Sequence, residues 1–327
     1  MRVLSGVQPS GAIHLGHYFG AIREHVSWQN RAECLFLIAD YHALTTSRDG
    51  DALRRKSIEL AAMYLACGLD PARASIYVQS DVPEVCELAW ILGTIAPMGT
   101  LERAVAFKEA RQRSEKIDTG LFNYPLLMSA DILGVAATLV PVGRDQLQHI
   151  EMARDLARRF NHIYASDEPV LSVPEARLSS HPFVPGTDGE KMSKRYDNTI
   201  GILESEASLS SRIQSIRTES KRADEPKDPD RCTVFALISL VVSADERQSL
   251  DSRYRRGAIS YAEAKRILNE RLLAHLRPVR ERYAALISSP TRLEETLSRG
   301  ASTARELFSV TMTAVRQCVG AVKNRGM

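Results

Sequence analysis

Cysteine is scarce and dispersed. The 327 residues contain five, Cys34, Cys67, Cys86, Cys232 and Cys318. No two form a Cys-x-x-Cys pair, and no Cys/His cluster has zinc spacing, which excludes a disulfide framework and a structural zinc site. Reduced, mostly buried thiols in a reducing compartment are the expectation. Long apolar runs are missing too. None approaches the ~20 residues of a membrane helix, and no leader precedes the strand-like N-terminus. A soluble, cytoplasmic protein without membrane contact is therefore expected. Excess charge is small, at +3, so binding to a polyanion is permitted but not required. There is no internal repeat and no low-complexity tract.

What is present is an ordinary globular composition, 44% hydrophobic and 25% charged, enough to bury a core as one large domain or two of average size. Residues 2–7 (RVLSGV) predict a strand, followed by a helix from Leu15 with Tyr18, Ile22 and Val26 at helical spacing. The run "CLFLIAD", residues 34–40, suits a strand buried on both faces of a parallel sheet. A helix follows, with Ile58, Ala61, Ala62 and Leu65 on one face and Gly68 as its C-cap. Residues 75–83 and 138–143 predict two more strands, the second leading into a helix from about Asp145. Strand and helix alternate over the first ~190 residues, which predicts an open parallel sheet with helices on both faces. Ligands of such sheets bind beyond the carboxyl ends of the strands. That rule places Gly6–Gly11, Asp40–His42, Gln79 and Gly143–Gln146 around one crevice.

After about residue 200 strand signals fade and amphipathic helices rich in Arg and Lys take over. Residues 218–232 (TESKRADEPKDPDRC) read as an exposed connection. The expected organisation is an α/β Rossmann-like, doubly wound catalytic domain over 1–200 and a helical domain over 201–327, an arrangement that leaves the C-terminus able to return to the first.

Two short motifs carry chemistry. "HLGH", residues 14–17, opens a helix after the first strand. Two histidines there suit a metal, a helix cap, or a phosphate. No further ligand has metal spacing, whereas the helix N-terminus offers free N–H groups and partial positive charge to an anion. Gly16 would clear space for a nucleotide, and imidazoles can donate to phosphate oxygens. "GTDGEKMSKRYDN", residues 186–198, is a glycine-bearing loop with Lys191 and Lys194 three apart, suited to closing over a triphosphate.

Together HLGH and KMSK resemble the signatures of class I aminoacyl-tRNA synthetases, and the chain is most similar to the tryptophanyl-tRNA synthetases of bacterial type. The likeness runs through "SGVQPSGAIHLGHYFGA", "ADYHALT", "GLDPARASIYVQSDVP", "LERAVAFKEA", "YPLLMSADIL", "VPVGRDQLQHIEMARDLARRFN" and "EKMSKR", nearly the whole chain. It implies a tryptophan–tRNA ligase. ATP would be held by Gln8, Pro9, Ser10, Gly16 and His17, by Gly143, Arg144 and Asp145, and by Phe183, Lys191, Met192, Ser193, Lys194 and Arg195. His14, His17, Lys191 and Lys194 would serve catalysis. Leu4, His42, Met128, Asp131, Ile132 and Gln146 would form the tryptophan pocket, Asp131 accepting the indole N–H. Mg²⁺ would arrive with ATP, with no resident metal site. The partners implied are L-tryptophan, its tRNA, and a second copy meeting it through residues around 80–130.

Departures from the family pattern are few. Arg195 stands where serine is usual. The family's lysine after "FKE" is matched by either Lys108 or Arg111. With only Cys232 and Cys318 in the helical part, a four-thiolate iron–sulfur cluster is excluded. Asp131 also makes sense alone: a carboxylate in an apolar helix needs a donor, which either an N–H of the protein itself or an indole N–H, a donor only, would supply. Rival readings are a tyrosine-specific enzyme, which would need a phenol site, a small-molecule adenylyltransferase, and a non-catalytic RNA-binding paralogue.

Overall fold

A computed structural model of the chain describes residues 1–112, 117–178 and 183–321; the last six residues of the expected helical domain lie outside them. Five strands, β1 (Arg2–Val7), β2 (Glu33–Ile38), β3 (Ala74–Val78), β4 (Leu139–Val142) and β5 (Glu175–Leu178), form one parallel sheet in the order β3-β2-β1-β4-β5. Side chains alternate across each strand, so the sheet builds two cores. Val3, Cys34, Phe36, Ile38 and Ile76 face one; Leu4, Leu35, Leu37, Tyr77 and Val140 face the other.

The first core holds Leu15, Phe19 and Ile22 of the HLGH segment, the Gly50–Ala66 helix, and the helical third through Ile213, Leu268 and Leu272. The second is built from the helices Glu84–Ile95, Thr119–Gly134 and Leu147–Tyr164. Gly68 ends the Gly50–Ala66 helix at φ +105, a left-handed conformation that glycine adopts without strain.

The Pro290–Cys318 helix joins both cores. Leu293 and Leu297 lie in the first, Ala301, Phe308, Met312 and Val315 in the second. It crosses β3 at Gly300, where a Cβ would stand 2.0 Å from the carbonyl oxygen of Ile76. The helix thereby covers an edge strand that would otherwise invite pairing.

Three sequence expectations change. The strand expected to run to residue 83 stops at Val78, and Gln79–Asp81 forms a single 3₁₀ turn. β5 was not foreseen, because "EARL" is short, polar and mostly exposed. Within 218–232, Lys227 is buried and donates to the carbonyl oxygens of Arg222, Ala223 and Glu225 at 2.8, 3.1 and 2.8 Å, so that end is fixed rather than exposed. Among the described residues no helix is long and apolar enough to cross a membrane.

Candidate active site

Strand order reverses between β1 and β4, and the crevice outside their carboxyl ends is where this topology binds ligands. A cavity of about 630 Å³ opens there. Gln8, Ser10, His17, Gly143 and Asp145 line it, as do Leu4, His42, Met128, Asp131, Ile132 and Gln146. Pro9 is buried beside them, while Arg144 sits exposed in the Arg144–Gln146 turn. Phe183, Lys191, Lys194 and Arg195 are exposed outside the cavity wall. Lys108 and Arg111 are both exposed on the Val105–Gln112 helix.

The first signature is joined through backbone to the segment just after the lysine loop, and to the loop itself through Met192. Leu15 N–H donates to Ile200 O at 2.9 Å, and Ile202 N–H to Ile13 O at 3.1 Å. Gly16 N–H points at Met192 Sδ (3.2 Å), and Lys194 Nζ donates to Ser10 O (3.2 Å). The lysine loop therefore sits on the first signature. A side chain at Gly16 would meet the His14 ring at 2.9 Å and Met192 Cβ at 3.3 Å. The glycine thus makes room for the protein's own histidine and methionine.

His14 and His17 stack, with ring centroids 3.8 Å apart. His14 is buried and stands behind His17, which alone of the two reaches the cavity. Burial, the neighbouring His17 and Lys194 push His14 down to about 3; burial and Lys194 push His17 down to about 4. Both rings are neutral near physiological pH and carry one N–H donor each. The Nδ1 atom of each is buried without a partner among the described residues. Partial burial and Lys56 lower the pKa of Lys194. No group of three metal-ligating side chains occurs among the described residues.

Asn198 shapes the lysine loop. Its Oδ1 accepts from Ser193 N–H (2.8 Å), and its Nδ2 donates to Asp188 Oδ1 (2.8 Å) and Lys191 O (3.1 Å). Its amide packs where Gly186 has no side chain, 2.4 Å from where a Cβ would stand. Asp197, next to it, takes the left-handed conformation at φ 46 and accepts from Arg212 at 3.2 Å.

At the other end of the cavity Asp131 is 4% exposed. It is not the solitary carboxylate that the apolar helix suggests. Gln79 Nε2 donates to its two oxygens at 2.9 and 2.8 Å, and His42 Nε2 lies 3.1 Å from Oδ2. Burial raises its pKa, opposed by the His42 and Gln79 bonds. A polar chain also runs along the cavity: Tyr124 OH to His149 Nε2 (2.7 Å), His149 Nδ1 to Gln146 Oε1 (3.0 Å), Gln146 Nε2 to Asp145 Oδ2 (2.8 Å). Asn198, Tyr124 and His149 are absent from the site residues that the sequence supplied, and Gln79 was placed at the crevice without a role. Gln79 alone had a signal, as a polar residue ending an apolar run at the carboxyl edge of a strand.

A second cavity, of about 760 Å³, shares His42, Thr45 and Tyr124 with the first and opens among Trp90, Met98, Phe122 and Leu127. Tyr41 lies on this second wall and makes no bond to Asp131, so the Tyr–Asp pair of a phenol site is not formed. Trp90 is 77% exposed and Met98 62%.

Comparison with known proteins agrees with this geometry. Residues 1–277 match the family model of the class I tRNA synthetases for W and Y. The chain is 42% identical over 321 residues to a tryptophan–tRNA ligase of Campylobacter jejuni strain RM1221, covering 98% of this chain and all of that one. It is 43% identical over 320 residues to another from Rhodopirellula baltica, covering 97% and 99%. Among solved structures, a tryptophanyl-tRNA synthetase from Campylobacter jejuni complexed with ADP and tryptophan is similar at TM-score 0.91 and 42% identity, over 98% of this chain and 100% of that one. One from Mycoplasma pneumoniae follows at TM-score 0.82 and 26% identity, over 98% and 97%.

Proposed function

The chain belongs to the class I tRNA synthetases for tryptophan and tyrosine, and from that premise we propose how its cleft divides the work of joining tryptophan to tRNA. The activity is ATP-dependent tryptophan–tRNA ligation. One observation carries the division of labour. A single cavity has His17 on its wall at one end, where Lys194 bonds to Ser10 O from outside, and a buried, hydrogen-bonded carboxylate at the other.

In the first step a carboxylate oxygen of tryptophan attacks the α-phosphorus of ATP in line, and the bond to pyrophosphate breaks. Both reacting groups belong to substrates, so the protein contributes positioning and charge stabilisation. Gln8, Ser10, Gly143 and Asp145 line the nucleotide end. His17 donates a neutral N–H to phosphate oxygens, and His14, stacked behind it, fixes its ring. Lys191 and Lys194 bring charge from the loop, and Arg195 adds a third cation there. Pro9, Gly16, Arg144, Phe183, Met192 and Ser193 complete the nucleotide side. Mg²⁺ enters as part of the nucleotide substrate.

Tryptophan occupies the other end, its indole N–H donating to Asp131 between Leu4, Met128 and Ile132, with His42 and Gln146 beside it. In the second step a hydroxyl of the terminal adenosine of tRNA attacks the activated carbonyl and releases AMP. The helical part beyond residue 200 contacts the tRNA. Arg212 is held by Asp197 at 3.2 Å and Lys221 by Glu219 at 2.9 Å, which leaves Arg217 of these three basic residues for contact with the tRNA backbone. A cytoplasmic setting fits the five free thiols.

A second copy covers the face around Trp90 and Met98, since apolar patches of this kind mark association. Sedimentation of the wild type should give a dimer, and Trp90→Glu should give monomer; a wild-type monomer overturns the assignment. The catalytic reading is tested by amino-acid-dependent ATP–pyrophosphate exchange. Exchange with tryptophan and not with tyrosine or phenylalanine is expected, whereas exchange with tyrosine overturns the pocket.

A further inference from the structure

We propose that Gln79 is a specificity-positioning residue: it occupies and aims Asp131 so that the carboxylate presents one acceptor position, matched to a ring with one N–H. The inference rests on Asp131 as the indole acceptor. Its own content is a count of lone pairs. An ionised carboxylate offers about four acceptor positions. Gln79 Nε2 lies 2.9 and 2.8 Å from the two oxygens, and so takes the facing position of each. His42 Nε2, at 3.1 Å, takes a further position on Oδ2. The remaining position is on Oδ1. Tyr77, buried and near enough for the Asp131 charge to raise its pKa, bonds to nothing among the described residues and leaves that position untouched.

The orientation of Gln79 is fixed as well. Its Oε1 accepts from the backbone N–H of His42 at 3.4 Å. A flipped amide would set Oε1 against the carboxylate and Nε2 against an N–H, opposing like partners twice. Gln79 is 1% exposed, at the end of β3, and Asp131 is on the Thr119–Gly134 helix. The sheet and the helix are thus tied through the atom pair that meets the substrate ring. A site committed to a single donor rejects rings lacking it, because its acceptor is then left unpaired.

The test compares tryptophan with 3-(benzothienyl)alanine, in which sulfur replaces the indole N–H, by ATP–pyrophosphate exchange. The wild type is expected to prefer tryptophan by about 100-fold or more in kcat/KM. Gln79→Met keeps the volume and removes the amide. It should reduce that preference by about tenfold or more through tryptophan alone, with the KM for ATP unchanged. A variant that loses both substrates equally and keeps the preference overturns the proposal, since packing alone would do that. If Gln79→Met does not fold, Gln79→Glu serves. It places a second carboxyl against Asp131: with one proton on the pair the introduced carboxyl still donates and the preference should persist, and it should fall as pH rises and that proton is lost; a preference unchanged across that pH range overturns the proposal. A wild-type protein that treats the two amino acids alike overturns the Asp131 reading itself.

Discussion

The two ends of the cleft are built on opposite plans. At the end proposed for the nucleotide the charged groups stand on an exposed loop, and Lys194 reaches the segment before the first signature by one bond to Ser10 O. At the end proposed for the amino acid the carboxylate is buried within a helix and held by side chains from two other segments, Gln79 and His42. The difference follows from what each end must do. Charge that stabilises a transition state has to meet the phosphates as they react, and a loop can close on them. Discrimination between rings needs a donor–acceptor geometry set before the substrate arrives, since a loosely held acceptor would adapt to the wrong ring. Lysine suits the first task as a mobile point charge; a buried carboxylate suits the second.

The contrast is broken first by removing its charged groups. Lys194→Ala should lower kcat for adenylate formation by about 10²–10³-fold with tryptophan affinity little changed, as expected of a group acting on developing charge. Single-turnover kinetics with equilibrium dialysis of tryptophan checks this, and a large loss of tryptophan affinity would make Lys194 a binding residue. Asp131→Ala should raise the tryptophan KM by about 10²-fold and leave the ATP KM nearly alone. Equal effects on both constants would sink the indole assignment.

The exchangeable end was the more legible of the two. HLGH and KMSK are local strings, and each bears its chemistry in residue type and spacing. β1 and β2 announce themselves as short apolar runs ending in glycine, proline or aspartate. The rigid end was harder to read. Asp131 stood out as a carboxylate in an apolar helix, but its partners come from β3 and the segment after β2, and no periodicity reports such a contact. Asn198 sits beside KMSK, yet its role depends on Gly186 leaving room for its amide. Gly300 reads as an ordinary weak point in a helix. Its reason is the Ile76 carbonyl on a distant strand. β5 gave no signal because an exposed edge strand buries too little to impose an alternating pattern.

The loop is not free of preorganisation, and Asn198 measures how much it has. Asn198→Asp keeps an acceptor for Ser193 N–H but replaces the donor to Lys191 O and sets a carboxylate 2.8 Å from Asp188. Two carboxylates so close raise the pH at which the pair takes up its first proton. The variant should lose about tenfold in kcat, the worth of a hydrogen bond or two, and regain part of it as pH falls and the pair takes up a proton. A loss independent of pH would assign Asn198 to packing alone.

The smallest effect concerns the wall between the two ends, where His25 lines the cavity and bonds to Ser5 Oγ at 2.9 Å and Tyr64 OH at 3.1 Å. Burial lowers its pKa from 6.5 to about 4. The unfolded chain therefore binds a proton that the folded one refuses. The stability due to the neutral ring is full above 6.5, falls as pH drops below that value, and stops falling once pH passes below about 4. Between neutral pH and about pH 5 this group alone should cost about 2 kcal/mol. His25→Phe strands two buried hydroxyls and should be less stable at neutral pH by about 1–3 kcal/mol. Its melting temperature should nevertheless decline less steeply on acidification than that of the wild type, because a phenyl ring takes up no proton in either state. Parallel declines in the two proteins would move the acid sensitivity to His14 and His17, and with it the site of proton-linked strain to the nucleotide end of the cleft.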